Sequence, residues 1–322
     1  METLPSSSLP VVSSHRVWRL AQRVAVVGFV VAFALVLAAP DPVLTLFWSG
    51  VVPLLPVLFL IHPGIWRNVC PLATLGMGPE GGRLPGDSTA TACLILLLLI
   101  PLRPVVLETS ALASAGLLAA AGAGALVGRR YARKGGFCNS WCPILPVERL
   151  YGQRPLMGVS NPRCPTCTVC TPRGCLDLST DAAAAQLLGR NRHGWRWIFT
   201  PLGAFAAAFP GVVTAFFLLP EEPGAWDAYR RVLAGGGASW VLAALAVWIV
   251  RPPWRVALPT LGALAAGPYL WFALPGVVRA WGIPLDPRIA GAAGVLFVAA
   301  WWLHAWWTRS VRVPRLSGAR AP

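Results

Sequence analysis

Apolar and polar positions alternate along this chain on the scale of whole segments. Leu-, Val- and Ala-rich runs recur between short polar breaks, and a run of roughly 17 to 25 apolar residues is what an α-helix needs to cross the ~30 Å hydrocarbon layer of a bilayer. Eight such spans are predicted, at about 20–39, 43–61, 89–107, 110–128, 197–219, 232–250, 256–275 and 288–308. Pro53 and Pro56 interrupt the second, and Gly235 to Gly237 open the sixth. Helices inside a bundle tolerate such breaks because neighbours satisfy the freed backbone groups. The expected fold is an all-α integral membrane bundle of about eight transmembrane helices. One extended polar segment interrupts it, so the pattern divides into residues 1–128 (spans one to four, with a loop at 62–88), 129–196 (a cysteine-rich insert), 197–308 (spans five to eight) and the tail 309–322.

Composition agrees with lipid as the solvent. Residues of the apolar set make up 56% of the chain and charged ones 12%, more hydrophobic surface than a soluble domain of 322 residues buries. The apolar run that follows Arg16, Arg19 and Arg23 is too long for a cleaved leader and has no small-residue cleavage site before Pro40, which predicts a retained first span. The net charge of +15 would suit nucleic acid if the basic residues formed a patch on a polar domain. They sit instead in the short breaks between apolar runs, which argues for topology and against nucleic acid.

Arg-rich loops stay in the cytoplasm, and that rule orients the bundle. With the N-terminus inside, the segments Arg67 to Asp87, Arg129 to Arg196, Arg251 to Arg255 and the tail with Arg309, Arg312, Arg315 and Arg320 are also inside. The other loops hold Asp41, Glu108, Glu221, Glu222, Asp227 and Asp286, along with Arg230, Arg231 and Arg279. The expectation is a multi-pass protein of the inner membrane with both termini cytoplasmic. Trp18, Trp66, Trp195, Trp197, Trp254 and Trp281 near span ends fit interfacial belts.

Six of the eight cysteines lie in the insert. Cys164, Cys167, Cys170 and Cys175 form a C-x2-C-x2-C-x4-C run. Thiolates at two-residue intervals wrap a cuboidal iron–sulfur cluster, because the short loops curl the backbone and turn each sulfur inward. A bacterial ferredoxin run has three residues before its last Cys and a Pro after it, whereas here four intervene and Leu176 follows. Rival readings are a structural zinc knuckle within a scaffold or transporter, a disulfide framework, and unligated thiols. Zinc sites more often use two separated C-x2-C pairs, a cytoplasmic position disfavours disulfides, and packed free thiols in a basic segment are easily oxidised.

A second pattern opens the same segment: Cys138 and Cys142 form C-x3-C-P with Pro143, and Cys70-Pro71 echoes its second half, with Trp66 where the first Cys would stand. Seven cysteines therefore lie outside the spans, and the eighth, Cys93, is expected to be a small packing residue in the third span.

With Cys–Pro motifs after its second and fourth spans and a ferredoxin-like run before its fifth, the chain resembles the membrane-bound polyferredoxin family, with its NapH-type and NosR-type members, over roughly residues 20 to 220. The resemblance implies a [4Fe-4S] cluster on Cys164, Cys167, Cys170 and Cys175. It also implies a role in electron transfer or metal handling for Cys70, Cys138 and Cys142, with a second cluster as one option. Family members commonly carry two four-Cys runs and this chain has one, so a two-cluster wire is not expected. The implied function is single-electron transfer at the cytoplasmic face, with a partner protein or the quinone pool. Assembly or maturation of a respiratory metalloenzyme is the alternative.

Other chemistry is weakly signalled. A haem on His62 and His304 would need the two on facing helices, and a His at a span end is more often interfacial. Glu148 and Asp177 have no carboxylate partner at a useful spacing, so acid–base catalysis is not indicated. An electron-transfer protein is expected in preference to a catalyst with its own substrate. Arg149, Arg154, Arg163 and Arg173 would raise a cluster's potential and dock an acidic carrier, or only fix topology and meet anionic lipid.

Overall fold

A computed structural model describes residues 15–76, 89–130, 136–157, 184–185, 187–192 and 194–308. Among these residues the chain is helical and contains no strand. In order, the helices are α1 (His15–Ala38), α2 (Pro40–Leu46), α3 (Val52–Ile61), α4 (Pro63–Val69), α5 (Pro71–Leu75), α6 (Thr89–Leu102), α7 (Ala111–Gly128), α8 (Leu145–Tyr151), α9 (Pro201–Phe217), α10 (Ala225–Val250), α11 (Trp254–Ala280) and α12 (Pro287–Trp307). A π-helical turn, Phe47–Val51, joins α2 to α3, and another, Arg103–Leu107, extends α6.

Seven continuous segments are long and apolar enough to cross a membrane: Arg16–Ala38, Pro40–Ile61, Thr89–Leu107, Ala111–Gly128, Ala225–Val250, Trp254–Ala280 and Pro287–Trp307. The chain is a multi-pass membrane protein by this measure. The sixth expected span begins seven residues earlier than the pattern suggested, since the helix runs unbroken through Gly235 to Gly237. The fifth differs more. It is α9, only 17 residues and about 25 Å long, preceded by a 3-10 turn at Arg196–Phe199. Yet α9 is well enclosed, packed between α10 and α11 and touching α6 and α8. It still runs from one end of the bundle to the other. Trp197 and Ile198 at its start share a core with Leu150 and Tyr151 of α8, and Phe217 at its end packs on Tyr269 and Phe272.

Small residues make that enclosure possible. Gly211 of α9 lies against the Gly235 carbonyl of α10, and a methyl added to Gly235 would stand 2.6 Å from the Ala215 side chain. Helices in lipid gain little from hydrophobic contrast, so such close backbone approach supplies their association.

The irregular turns are closed by side chains from elsewhere. Pro56 has no N–H and leaves the Val52 carbonyl without its helical donor, and the Tyr269 hydroxyl donates to that oxygen at 3.2 Å. Trp281 Nε1 donates to the Ser49 carbonyl (3.2 Å), Arg103 Nη2 to the Trp48 carbonyl (3.3 Å) and Trp48 Nε1 to the Leu107 carbonyl (3.1 Å). Arg103 lies between the Trp48 and Phe216 rings and is paired with Glu108 at 2.7 Å, so this charge is held at the bundle's end by aromatic faces and a carboxylate.

Two ends result. One gathers the start of α1, residues 62–76 and 136–157, the start of α11 and the end of α12. Gln22 meets Asn68 there, Gly262 faces Leu150 and Tyr151, and Trp301 donates to the Arg154 carbonyl. Among the described residues its one acid is Glu148, against many arginines; Asp41, Glu108, Glu221, Glu222, Asp227 and Asp286 belong to the opposite end. The grouping expected from charge is thus present as geometry. The described first part of the 129–196 insert is not a separate polar unit, because Leu145, Leu150 and Tyr151 are buried in the bundle.

The glycine contact is testable. Gly211→Val should lower stability by about 1–3 kcal/mol, read as a lower melting temperature in detergent. Gly237→Ala, with open space around the added methyl, should leave it unchanged or slightly higher. Equal effects would show that α9 and α10 do not meet through Gly211.

Candidate functional site

Two Cys–Pro loops meet at the arginine-rich end. In the first, the His62 imidazole caps α4, its Nδ1 accepting from the Gly64 N–H at 2.8 Å. Pro71 then forces Cys70 out of the helical region, to φ −70 and ψ 121, so α4 stops and α5 starts afresh with Pro at its first position. Cys70 is fixed from both sides. Its N–H donates to the Trp66 carbonyl (2.7 Å), and its carbonyl accepts from the Thr74 N–H (3.1 Å) and hydroxyl (3.2 Å).

In the second loop the Phe137 carbonyl accepts from the N–H groups of Ser140 (3.1 Å), Trp141 (3.0 Å) and Cys142 (3.1 Å), a single tight turn that stacks Cys138 and Cys142 one turn apart. The Ser140 hydroxyl closes it on the Gly136 carbonyl. Phe137 rests on α7 where Gly124 and Gly128 have no side chain to obstruct it. Cys142-Pro143 leads through a short turn into α8, as Cys70-Pro71 leads into α5.

An ion pair holds the loops together. Arg67 Nε donates to Glu148 Oε1 at 2.5 Å and Nη2 to Oε2 at 3.0 Å, a two-pronged bridge with side chains 9% and 5% exposed. Arg67 Nη1 also donates to Asn139 Oδ1 at 2.9 Å, between Cys138 and Ser140. Asn68, fully buried, accepts from Gln22 Nε2 of α1 at 3.4 Å.

The structure brings Cys70 and Cys138 into one buried cluster with Phe137, Ala73 and Ala125, and Cys142, Trp66 and Trp141 flank it. None of the three cysteines is in a disulfide. Burial pushes Cys70 up from 9.0 to about 11, against the Ala73 and Leu72 amides and Arg67, which lower it. It pushes Cys142 up to about 12, helped by Cys70. Cys138 is also raised, by burial first and then by Cys142 and Cys70. The mutual influence places the three thiols within electrostatic reach of one another, all protonated at neutral pH.

Among the described residues no group of three or more His, Cys, Asp or Glu side chains is arranged to close on a metal ion. Cys70, Cys138 and Cys142 therefore form a thiol cluster and not a ready metal cage. Holding a metal would require loss of thiol protons and inward movement of the loops. Cys164, Cys167, Cys170 and Cys175, like Arg163, Arg173 and Asp177, lie outside the described residues. Cys93 is buried in α6 among apolar side chains, as a packing residue would be. No known family model matches the chain, and neither a curated protein nor a solved structure is similar to it.

Sequence reasoning missed Arg67, Asn139 and the role of Glu148. The available signal was the isolation of Glu148 in an otherwise basic segment, since a lone carboxylate there is the natural partner of a buried guanidinium.

Arg67→Ala and Glu148→Gln should each cost about 3–5 kcal/mol, because each leaves an unpaired charge or broken bridge in the interior. Chemical unfolding in detergent measures this, and losses below about 1 kcal/mol would mark a surface-type bridge. The thiols set a pH dependence as well. The unfolded chain releases their protons near 9.0 and the folded chain holds them to about 11 at Cys70. Their contribution to stability is thus complete below pH 9 and should fall as pH rises from 9 toward 11, and iodoacetamide at pH 8 should label the buried Cys70 and Cys138 only on unfolding.

Proposed function

We propose that this chain is a membrane-bound iron–sulfur protein that transfers single electrons at its cysteine-bearing end, which the arginine excess assigns to the cytoplasmic face of the inner membrane. The single observation that carries the reading is the C-x2-C-x2-C-x4-C run of Cys164, Cys167, Cys170 and Cys175. The run lies in the segment whose residues 136–157 are anchored to the bundle at the arginine-rich end. A [4Fe-4S] cluster on these four thiolates supplies a reversible one-electron couple. The chain's own residues do the rest: the helices fix depth, and basic side chains around the run favour the reduced cluster and an acidic carrier. The electron partner is a redox protein or the quinone pool.

A second reading has its own support. Two buried thiols, Cys70 and Cys138, and the flanking Cys142 come together from two loops at this end, which suits a maturation factor that reduces or delivers a metal to a respiratory metalloenzyme. In that role the cluster run provides the electron and Cys70, Cys138 and Cys142 meet the metal.

Anaerobic purification separates both readings from zinc, and maturation of a partner enzyme separates them from each other. About four iron and four sulfide per chain, with an electron paramagnetic resonance signal on reduction that is lost in a Cys164→Ser/Cys167→Ser variant, is the expected result. Zinc without iron would sink both readings. Ser at positions 70, 138 and 142 should leave that signal intact under either reading. Failure of a partner enzyme to mature, with the signal preserved, would select the second.

A further inference from the structure

The first turns of α1 carry arginines that the fold leaves uncompensated. Arg16, Arg19 and Arg23 are exposed, and none pairs with a carboxylate among the described residues. A helix start is the positive end of its dipole and favours acidic side chains, but the first turn of α1 has none.

Helix α7 adds to the same charge. It packs antiparallel on α1, with the Phe29 ring against Gly122. Seven residues on from Gly122 is Arg129 and seven back from Phe29 is Gln22, so Arg129 stands level with Gln22 and Arg23. Arg130 follows, and both are exposed and without a carboxylate partner among the described residues. Arg19, Arg23, Arg129 and Arg130 therefore lie at one level of two neighbouring helices, within about two helical turns of each other along the axis. On the same helix as Arg19 and Arg23, the indole N–H of Trp18 is enclosed and has no hydrogen-bond partner among the described residues.

The neighbours of these arginines decide what covers them. Leu20 (63% exposed) and Val24 (62%) alternate with them on α1, and Leu126 (51%) precedes them on α7. An acidic protein docking from water would meet a polar surface. This edge is apolar immediately below its guanidinium groups, the profile of the boundary between acyl chains and headgroups.

We propose that the edge formed by the start of α1 and the end of α7 binds an anionic phospholipid, its phosphates on Arg19, Arg23, Arg129 and Arg130 and its acyl chains against Leu20, Val24 and Leu126. Guanidinium pairs grip phosphate oxygens in a two-pronged fashion, so four of them suit a two-phosphate headgroup, diphosphatidylglycerol. The site is independent of the iron–sulfur reading and stands or falls without it.

Native mass spectrometry of the full chain in neutral detergent tests this, with diphosphatidylglycerol, phosphatidylcholine and inorganic phosphate as probes. One diphosphatidylglycerol should remain bound where phosphatidylcholine is stripped, and inorganic phosphate should neither bind nor compete. The variant Arg19→Gln/Arg23→Gln/Arg129→Gln/Arg130→Gln should lose the lipid, and Arg251→Gln/Arg255→Gln, exposed at the same end but off the edge, should keep it. Should the first variant fail to accumulate, Lys at the same four positions keeps the charge that directs insertion and should bind the lipid more weakly than Arg. Equal retention in the on-edge and off-edge variants, binding of phosphatidylcholine to the same extent, full retention by the Lys variant, or capture of an acidic polypeptide by these arginines in place of lipid would each overturn the proposal.

Discussion

A guanidinium and a carboxylate removed from water together, Arg67 and Glu148, are the contact on which the arginine-rich end of this protein depends. Either charge alone in that interior would carry a desolvation penalty of several kcal/mol, so the two loops that supply them are obliged to stay together. That obligation positions the thiols. Arg67 precedes Cys70 by less than a helical turn and bonds Asn139, the residue after Cys138, while Glu148 sits on the helix that Cys142-Pro143 leads into. Beside the bridge, the Arg67–Asn139 hydrogen bond and the packing around Phe137 join the first loop to the second.

The opposite end follows a different rule with the same root. Proline and π-helical turns leave backbone carbonyls without helical donors, and lipid offers none. Tyr269, Trp281, Arg103 and Trp48 each reach across to one such oxygen. Irregular backbone in the second and third spans is therefore a means of attachment, since each of these four carbonyls becomes a bond to another segment.

Much of the architecture was legible in the sequence because length and hydropathy act locally. The seven long spans and the grouping of basic loops at one end follow from runs of Leu, Val and Ala and from where Arg falls between them. The short fifth helix was legible as apolar but not as central, since an apolar run does not state whether lipid or protein covers it. The Cys–Pro echo was visible, and so was the candidacy of Cys70, Cys138 and Cys142. Their meeting was not, because it rests on a pair 81 residues apart that no spacing rule connects. The turn around the Phe137 carbonyl escaped for the same reason: its room is provided by Gly124 and Gly128 of α7, glycines that read locally as ordinary small residues of a span.

The enclosure of α9 bears on how the protein is made. Its partners α10 and α11 are synthesised after it. When α9 emerges, α6 and α8 are already there, but its two main partners do not yet exist, and the groove at Gly211 has no Gly235 to fill it. Assembly of the second half must therefore wait for the C-terminal helices. The helices that follow α9 close the centre of the bundle, so a chain that stops before them is left open at its core and not merely shortened at its edge.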